Sequence, residues 1–168
     1  KANVTKNWIP LTVSPTVTNR CNLKCVYCYG SYFNRDIEDF PTDFWLNLID
    51  ELHAMGTKLV HLEGGEPLLR KDIGEIISYV KDKGMICRMN SNGYLVPARI
   101  QEIKRLDSLC ISLDGDEESN DKNRGVGCYK KALDAIIVAK KNRLPVLSST
   151  VLTQNNVDCG AIEHILSL

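Results

Sequence analysis

Three cysteines near the start of the chain have the residue type and the spacing to hold a metal cluster. They lie in the segment Cys-Asn-Leu-Lys-Cys-Val-Tyr-Cys, so Cys21, Cys25 and Cys28 are separated by four and three positions. Cysteine thiolates at short, fixed spacings of this kind bind iron–sulfur clusters. Three thiolates can bind three irons of a [4Fe-4S] cube and leave the fourth iron open for a small molecule to chelate.

Two other metal sites stay open at this point. A structural zinc site in a binding or interaction module needs four ligands, so one more side chain would have to join the three cysteines. The candidates for that fourth ligand are Cys87, Cys110, Cys128, Cys159, His53, His61 and His164. A closed cluster in an electron-transfer protein would need Cys128 or Cys159 as its fourth thiolate. The odd number of cysteines, seven, argues against a disulfide framework.

The elements that must position these cysteines alternate between strand and helix. Apolar alternation predicts strands over residues 11–18, 59–62, 85–90, 108–113 and 146–152. Helical periodicity predicts helices over about residues 42–55, 71–83, 97–104, 129–142 and from 157 onward. Thr42 is the expected cap of the first helix. The cysteine loop, residues 19–40, is long for a connection without structure, which is typical of functional loops, whereas residues 115–127 are predicted to be a polar loop.

This alternation predicts an α/β fold with a parallel sheet. Five βα units with polar motifs after the strands favour a partial parallel (βα) barrel, in which the chemistry lies at the C-terminal ends of the strands. A doubly wound open sheet is the alternative. The chain has no Gly-x-Gly-x-x-Gly after its first strand, which weakens that alternative.

Four short motifs follow the predicted strands. They are Gly64-Gly65-Glu66-Pro67, Ser91-Asn92-Gly93, Ser112-Leu113-Asp114-Gly115 and Arg124-Gly125. Each also fits an ordinary turn or, for the arginine, a solvated surface side chain. His61, within the second strand, is expected to be a satisfied core histidine, with contact to a substrate as the alternative.

The cysteine motif resembles the signature of the radical S-adenosylmethionine (SAM) enzymes, with Tyr27 before the last cysteine and Thr18-Asn19-Arg20 before the first. The Gly-Gly-Glu motif resembles that of the family, and Ser-Asn-Gly stands where the family often has Thr-Asn-Gly. The resemblance implies a [4Fe-4S] cluster on Cys21, Cys25 and Cys28 whose open iron is chelated by SAM. The enzyme would cleave SAM reductively to a 5'-deoxyadenosyl radical that abstracts hydrogen from a substrate.

The same resemblance implies a set of SAM contacts, while the catalytic residues stay unknown. The contacts are Tyr27, Gly65, Glu66, Ser91, Asn92, Ser112, Asp114 and Arg124. Glu66 and the backbone near Gly65 would bind the methionyl ammonium of SAM, and Asp114 would lie beside the ribose or the substrate. Arg124 could pair with the SAM carboxylate through two parallel hydrogen bonds. Asn120 stands about where some members carry a histidine.

Within the family, the chain is most similar to the branch that includes peptide maturases, quinone-cofactor maturases and the molybdenum-cofactor cyclase. A peptide or small-molecule substrate and a reductant such as flavodoxin or ferredoxin are the implied partners. The family usually has six βα units, so residues 1–168 are expected to be a core domain that is incomplete at its C-terminus and could lack full activity. Substrate and reaction outcome are not predicted.

Composition limits the partners further. The 168 residues carry 21 basic and 21 acidic side chains, and this zero net charge gives no excess of positive charge that would attract nucleic acid. No apolar run approaches the length of a membrane-spanning helix, and residues 1–10 lack the apolar core of a signal peptide. The apolar content of 43% is typical of a globular chain. We therefore expect a cytoplasmic protein without nucleic-acid or membrane partners.

Overall fold

Five parallel strands form one open sheet in the computed structural model, which describes residues 9–32, 34–158 and 160–168. The strands are β1 (Thr12–Val13), β2 (Leu59–Leu62), β3 (Ile86–Ser91), β4 (Ser108–Ser112) and β5 (Val146–Ser149). Their order in the sheet is the order in the sequence, and every neighbouring pair is parallel. A doubly wound sheet requires a reversal of strand order. The sequential order excludes that alternative and confirms the predicted partial barrel.

Helices connect the strands and cover one face of the sheet. They are α1 (Thr42–Met55), α2 (Ile73–Asp82), α3 (Val96–Ile103), α4 (Glu117–Arg124), α5 (Cys128–Lys141) and α6 (Ala161–Leu166). Short 3₁₀ turns occur at Tyr29–Tyr32 and Pro67–Leu69. Among the described helices, none has both the length and the apolar character that crossing a membrane requires.

The core lies between the sheet and these helices because both sides present an apolar face there. Along β2 the buried residues alternate, with Val60 and Leu62 inside, and β3 pairs with them through Cys87 and Met89. The apolar stripe of α2, at Ile73, Ile76, Ile77 and Val80, is fully buried against them. The apolar residues that recur every two positions in the strands thus pack against those that recur every 3.6 positions in the helix, as the sequence predicted.

Helix α4 falls in the stretch that was predicted to be a polar loop, and that prediction was wrong. Asp116 caps the helix by accepting from the backbone N–H of Ser119 (2.8 Å). Acidic residues occupy its first turn, and Lys122 and Arg124 its last turn, which suits the helix dipole. The capping signals were in the sequence, but no apolar stripe accompanied them.

Several smaller expectations were also wrong. The first strand is shorter than predicted because Pro15, which has no N–H to donate, interrupts it, although Thr16 still bridges to Glu63.

Pro41, not Thr42, is the N-cap of α1, and the hydroxyl of Thr42 instead donates to Asp72 (2.8 Å). The helical spacing also predicts that Phe44 and Met55 in α1 and Ile137 in α5 face the core, but all three are substantially exposed.

Candidate functional site

A cavity of about 460 Å³ opens where the C-terminal ends of the strands meet the cysteine loop. Parallel strands bring their carboxyl ends to one edge of the sheet, so motifs that are far apart in sequence converge there. All three motif cysteines line the cavity. Six of the eight predicted SAM contacts also line it, namely Tyr27, Gly65, Ser91, Asn92, Ser112 and Arg124.

The three motif cysteines carry free thiols and are half-buried. Burial raises the pKa of the Cys21 and Cys25 thiols, and the nearby Arg124 guanidinium opposes this rise in pKa at Cys25. The backbone N–H of Leu23 points at the sulfur of Cys21 (3.4 Å). The donor set is therefore three sulfurs on one short loop, all facing one cavity.

These sulfurs fit a cluster better than a single ion. In the described part of the chain, no three His, Cys, Asp or Glu side chains are arranged to hold one metal ion. A tetrahedral zinc site needs its ligands to converge on a single point. In an iron–sulfur cube each cysteine binds a different iron, so the three sulfurs need only face the same space.

The scattered cysteines lie elsewhere. Cys87 is buried in β3, and burial raises the pKa of its thiol to about 12. Cys128 is buried, and its thiol donates to the carbonyl of Arg124 (3.5 Å). Cys110 is half-buried in β4. Cys159, the other candidate for a fourth thiolate, falls outside the described residues.

The two glycines after β2 are required by the protein's own backbone. A side chain on Gly64 would bring its Cβ within 2.4 Å of the carbonyl oxygen of Thr18, and one on Gly65 within 2.2 Å of that of Arg20. The backbone N–H of Gly65 donates to Thr18 (2.8 Å), and that of Glu66 donates to Arg20 (2.8 Å). The motif thus holds the start of the cysteine loop directly against the end of β2.

Glu66 is fully enclosed, and its carboxylate is satisfied by the next strand. It accepts from the Ser91 hydroxyl (3.0 Å) and from the backbone N–H groups of Asn92 (2.8 Å) and Leu68 (3.1 Å). Burial raises the pKa of Glu66, and these hydrogen bonds oppose the rise. Glu66 therefore ties the β2 motif to the β3 motif, and its contact with SAM stays a prediction.

Asp114 forms a second enclosed network, on the opposite side of the cavity. Arg124 donates to it twice, from Nε (2.8 Å) and Nη2 (3.0 Å), and the Tyr27 hydroxyl donates to it at 2.5 Å. The backbone N–H of Val151 also donates to Asp114 (3.0 Å). Burial and the bond to Asp114 both raise the pKa of Tyr27. One carboxylate thus joins the cysteine loop, α4 and the segment after β5.

Arg124 is buried rather than solvated, so the surface alternative for it was wrong. Burial alone would lower its pKa, but the paired Asp114 carboxylate raises the pKa above the ordinary value. Its guanidinium also lies over the Tyr27 ring, 5.5 Å from the ring centre. The forked contact that was predicted for a SAM carboxylate is made here with Asp114.

Some cavity residues were missed in the sequence. Ser149 and Val151 line the cavity at and beyond the end of β5, where no motif marks them. Glu63 and Asn90, which the sequence marks as polar groups at the ends of β2 and β3, line it as well, and Asn90 donates to Glu63 (3.3 Å). His61 is hydrogen-bonded to Asn90 (2.8 Å), as expected of a satisfied histidine, but it is only half-buried and does not lie in the core. The period of two in β2 predicts that His61 and Glu63 share one face of the strand, and Glu63 lines the cavity.

Comparison with known proteins gives the same assignment. The family model described as "Radical SAM superfamily" matches residues 16–166. The chain is 36% identical over 156 residues to an Fe-coproporphyrin III synthase of Methanosarcina barkeri, covering 89% of this chain and 39% of that protein. It is 32% identical over 154 residues to the mycofactocin maturase MftC of Mycolicibacterium smegmatis, again covering 89% and 39%. The chain therefore spans about two fifths of the length of these relatives.

Solved structures share the fold. SuiB of Streptococcus suis, bound to its precursor peptide SuiA, superposes with a TM-score of 0.84 at 19% identity, covering 95% of this chain and 36% of that one. A structure of anSMEcpe with bound AdoMet gives a TM-score of 0.80 at 18% identity, covering 93% and 48%. With its sequential parallel sheet, its cysteine loop and a match that runs from residue 16 to residue 166, the chain belongs to the radical SAM superfamily.

Proposed function

We propose that Cys21, Cys25 and Cys28 bind a [4Fe-4S] cluster with one open iron, and that SAM binds in the adjoining cavity. The observation that carries this proposal is convergence. Three thiols and Tyr27 from one loop, and five further predicted SAM contacts from four other segments, line the same space. When bound, the cluster supplies the electron for reductive cleavage of SAM to methionine and a 5'-deoxyadenosyl radical, which abstracts hydrogen from the substrate.

The residues divide into those that can touch SAM and those that position them. Gly65, Asn92 and Ser112 present polar groups to the cavity and are suited to direct contact. Glu66 and Asp114 are fully enclosed, so their part is to hold neighbouring groups in place. Tyr27 and Arg124 line the cavity while bound to Asp114, which fixes their orientation before SAM arrives.

For the substrate, we propose only a chemical class. A relative is named as a peptide cyclase for PqqA, and SuiB is described with a bound precursor peptide. Other relatives are named as heme and coproporphyrin synthases. We infer a substrate that is a peptide or a cofactor precursor, a reductant such as flavodoxin or ferredoxin, and a reducing, cytoplasmic setting for the cluster.

The proposal can be tested by anaerobic reconstitution followed by metal analysis and a SAM-cleavage assay. We expect iron and sulfide to be bound without zinc. On reduction with dithionite in the presence of SAM, we expect 5'-deoxyadenosine, measured by liquid chromatography. Bound zinc without iron would replace the proposal with a zinc module. An intact cluster that neither binds nor cleaves SAM would replace it with an electron-transfer protein.

A further inference from the structure

One charged side chain of the cysteine loop is directed at the sulfur of a motif cysteine. The guanidinium of Arg35 points Nη2 at the sulfur of Cys28 (3.4 Å). In the same side chain, Nη1 donates to the carbonyl of Leu23 (2.6 Å), and Nε to that of Gly30 (3.5 Å). The guanidinium is thus held by one carbonyl within the cysteine motif and by one just after it.

The local backbone keeps this contact close. A side chain on Gly30 would bring its Cβ within 3.2 Å of the Cys28 sulfur and within 3.7 Å of Nη2 of Arg35. The glycine therefore leaves the space in which the guanidinium reaches the sulfur. Since two carbonyl groups hold a planar fork, the third donor has little freedom to turn elsewhere.

The other two sulfurs have different surroundings. Cys21 accepts a hydrogen bond from the neutral backbone N–H of Leu23, and the charge of Arg35 acts on Cys21 through space without a hydrogen bond. The charge of Arg124 acts on Cys25 through space, and Arg124 is already paired with Asp114. Among the described residues, Arg35 is the side chain whose cationic group donates directly to a motif sulfur. Of the three ligands, Cys28 thus has a charged partner of its own.

We propose that Arg35 is a positioning residue that raises the reduction potential of the cluster through its hydrogen bond to Cys28. A positive charge and a hydrogen bond to a ligand sulfur both stabilise the reduced cluster, which carries one more negative charge. The protein would thereby ease the one-electron reduction by its external reductant. This inference rests on the proposed function, because it assumes that Cys28 binds an iron.

The test is an anaerobic redox titration followed by EPR, on wild-type protein and on Arg35→Leu. We expect the variant to have a lower midpoint potential. At a fixed potential, the ratio of reduced to oxidised cluster should fall about tenfold, which corresponds to about 59 mV for a one-electron couple. Arg35→Lys keeps the charge without the fork and should lie between wild type and Arg35→Leu.

The matched control is Lys24→Leu. Lys24 is an exposed cation next to Cys25 in the same loop, so its removal changes the loop charge without removing a sulfur hydrogen bond. Its shift in potential should be clearly smaller than that of Arg35→Leu. Equal shifts in the two variants, or none in either, would overturn the inference while the cluster itself remained established.

Two further results separate the inference from the proposed function. If wild-type protein binds no iron, the proposed function fails and the inference fails with it. If Arg35→Leu does not retain its cluster, Arg35→Gln decides, because glutamine keeps a hydrogen-bond donor at this position but removes the positive charge. A potential in Arg35→Gln equal to that of wild type would then contradict the proposal.

Discussion

The cysteine loop (residues 19–40) and the βα ladder, meaning the five strands β1–β5 with their connecting helices, are each stabilised by different forces. In the ladder, α2 buries four aliphatic side chains completely in the core beneath the sheet. The loop places no residue of its 3₁₀ turn in the core, and both Val26 and Tyr32 are exposed. The loop is held instead by separate polar contacts, such as the backbone bond from Val26 to Asn123 (2.9 Å).

Cofactor binding and folding therefore depend on different parts of the molecule. Burial of apolar surface stabilises the ladder, and that stability does not depend on a bound group. The loop depends on individual hydrogen bonds and ion pairs, among them Arg20 with Asp39 and Tyr27 with Asp114. Changes in the loop should therefore alter the cofactor site with little effect on folding, and changes in the ladder should do the reverse.

The largest effect is expected from the motif cysteines. Replacing Cys21, Cys25 or Cys28 by serine removes a cluster thiolate, so bound iron should fall to background while the urea unfolding curve of the apoprotein barely moves. Cys110→Ser is the matched control, since Cys110 is half-buried and lies outside the loop. It should keep full iron content. Iron retention in all three motif variants would mean that the loop is not the cluster site.

Asp114→Asn should affect both regions at once. The carboxylate is fully buried and pairs with Arg124, so its neutralisation leaves a buried cation without its partner. Loss of one member of a buried pair costs about 3–5 kcal/mol. We expect a decrease of that order in the free energy of unfolding by urea, together with weaker SAM binding. Asp36→Asn, an exposed change in the loop, should be neutral in both measurements.

Ile77→Ala tests the ladder alone. The side chain is fully buried, and its truncation leaves a cavity that typically costs about 2–5 kcal/mol. Iron content and SAM affinity of the folded variant should match wild type, because Ile77 lies in the core and does not line the cavity. Loss of the cluster without loss of stability would contradict the separation of the two regions.

The smallest effect is expected at acid pH, where the Asp72–Arg70 pair that fixes the ends of the cysteine loop loses its charge on Asp72. Burial of Asp72 by itself would raise its pKa, but the bonds from Arg70 and Thr42 outweigh it and hold the pKa below the ordinary value. Arg70 in turn donates to the carbonyls of Val17 and Phe40, on either side of the loop. Because the folded pKa is lower than the unfolded value of about 3.9, this stabilisation is present above about pH 4 and is lost as the pH falls.

The measurement is urea unfolding of wild type and Asp72→Asn between pH 7 and pH 3. The difference in the free energy of unfolding should be constant near neutrality and should shrink in the acid range. A difference that grows as the pH falls would reverse the sign of the argument.

The ladder was predictable because its signals are local. The apolar period of two in β2 and of 3.6 in α2 determined both elements and their buried faces. Helix α4 was missed because it lacks an apolar stripe, although Asp116 and the charges of its turns marked it.

The internal contacts of the site were not predictable in the same way. Asp114 and Arg124 both stood out in the sequence, yet no local pattern says that they pair with each other rather than with a ligand. Their pairing depends on how the end of β4 meets α4. The contact of Arg35 with Cys28 likewise depends on the path of the loop. The residue types could be predicted, while their partners required the fold.

The central claim is that three loop cysteines leave one iron open and that SAM binds to it. Low-temperature EPR of the reconstituted, dithionite-reduced protein, recorded with and without SAM, tests this claim most directly. We expect a [4Fe-4S] signal that changes when SAM is added, and a loss of that signal in Cys28→Ser. A cluster signal that SAM leaves unchanged, at concentrations that saturate related enzymes, would contradict the claim.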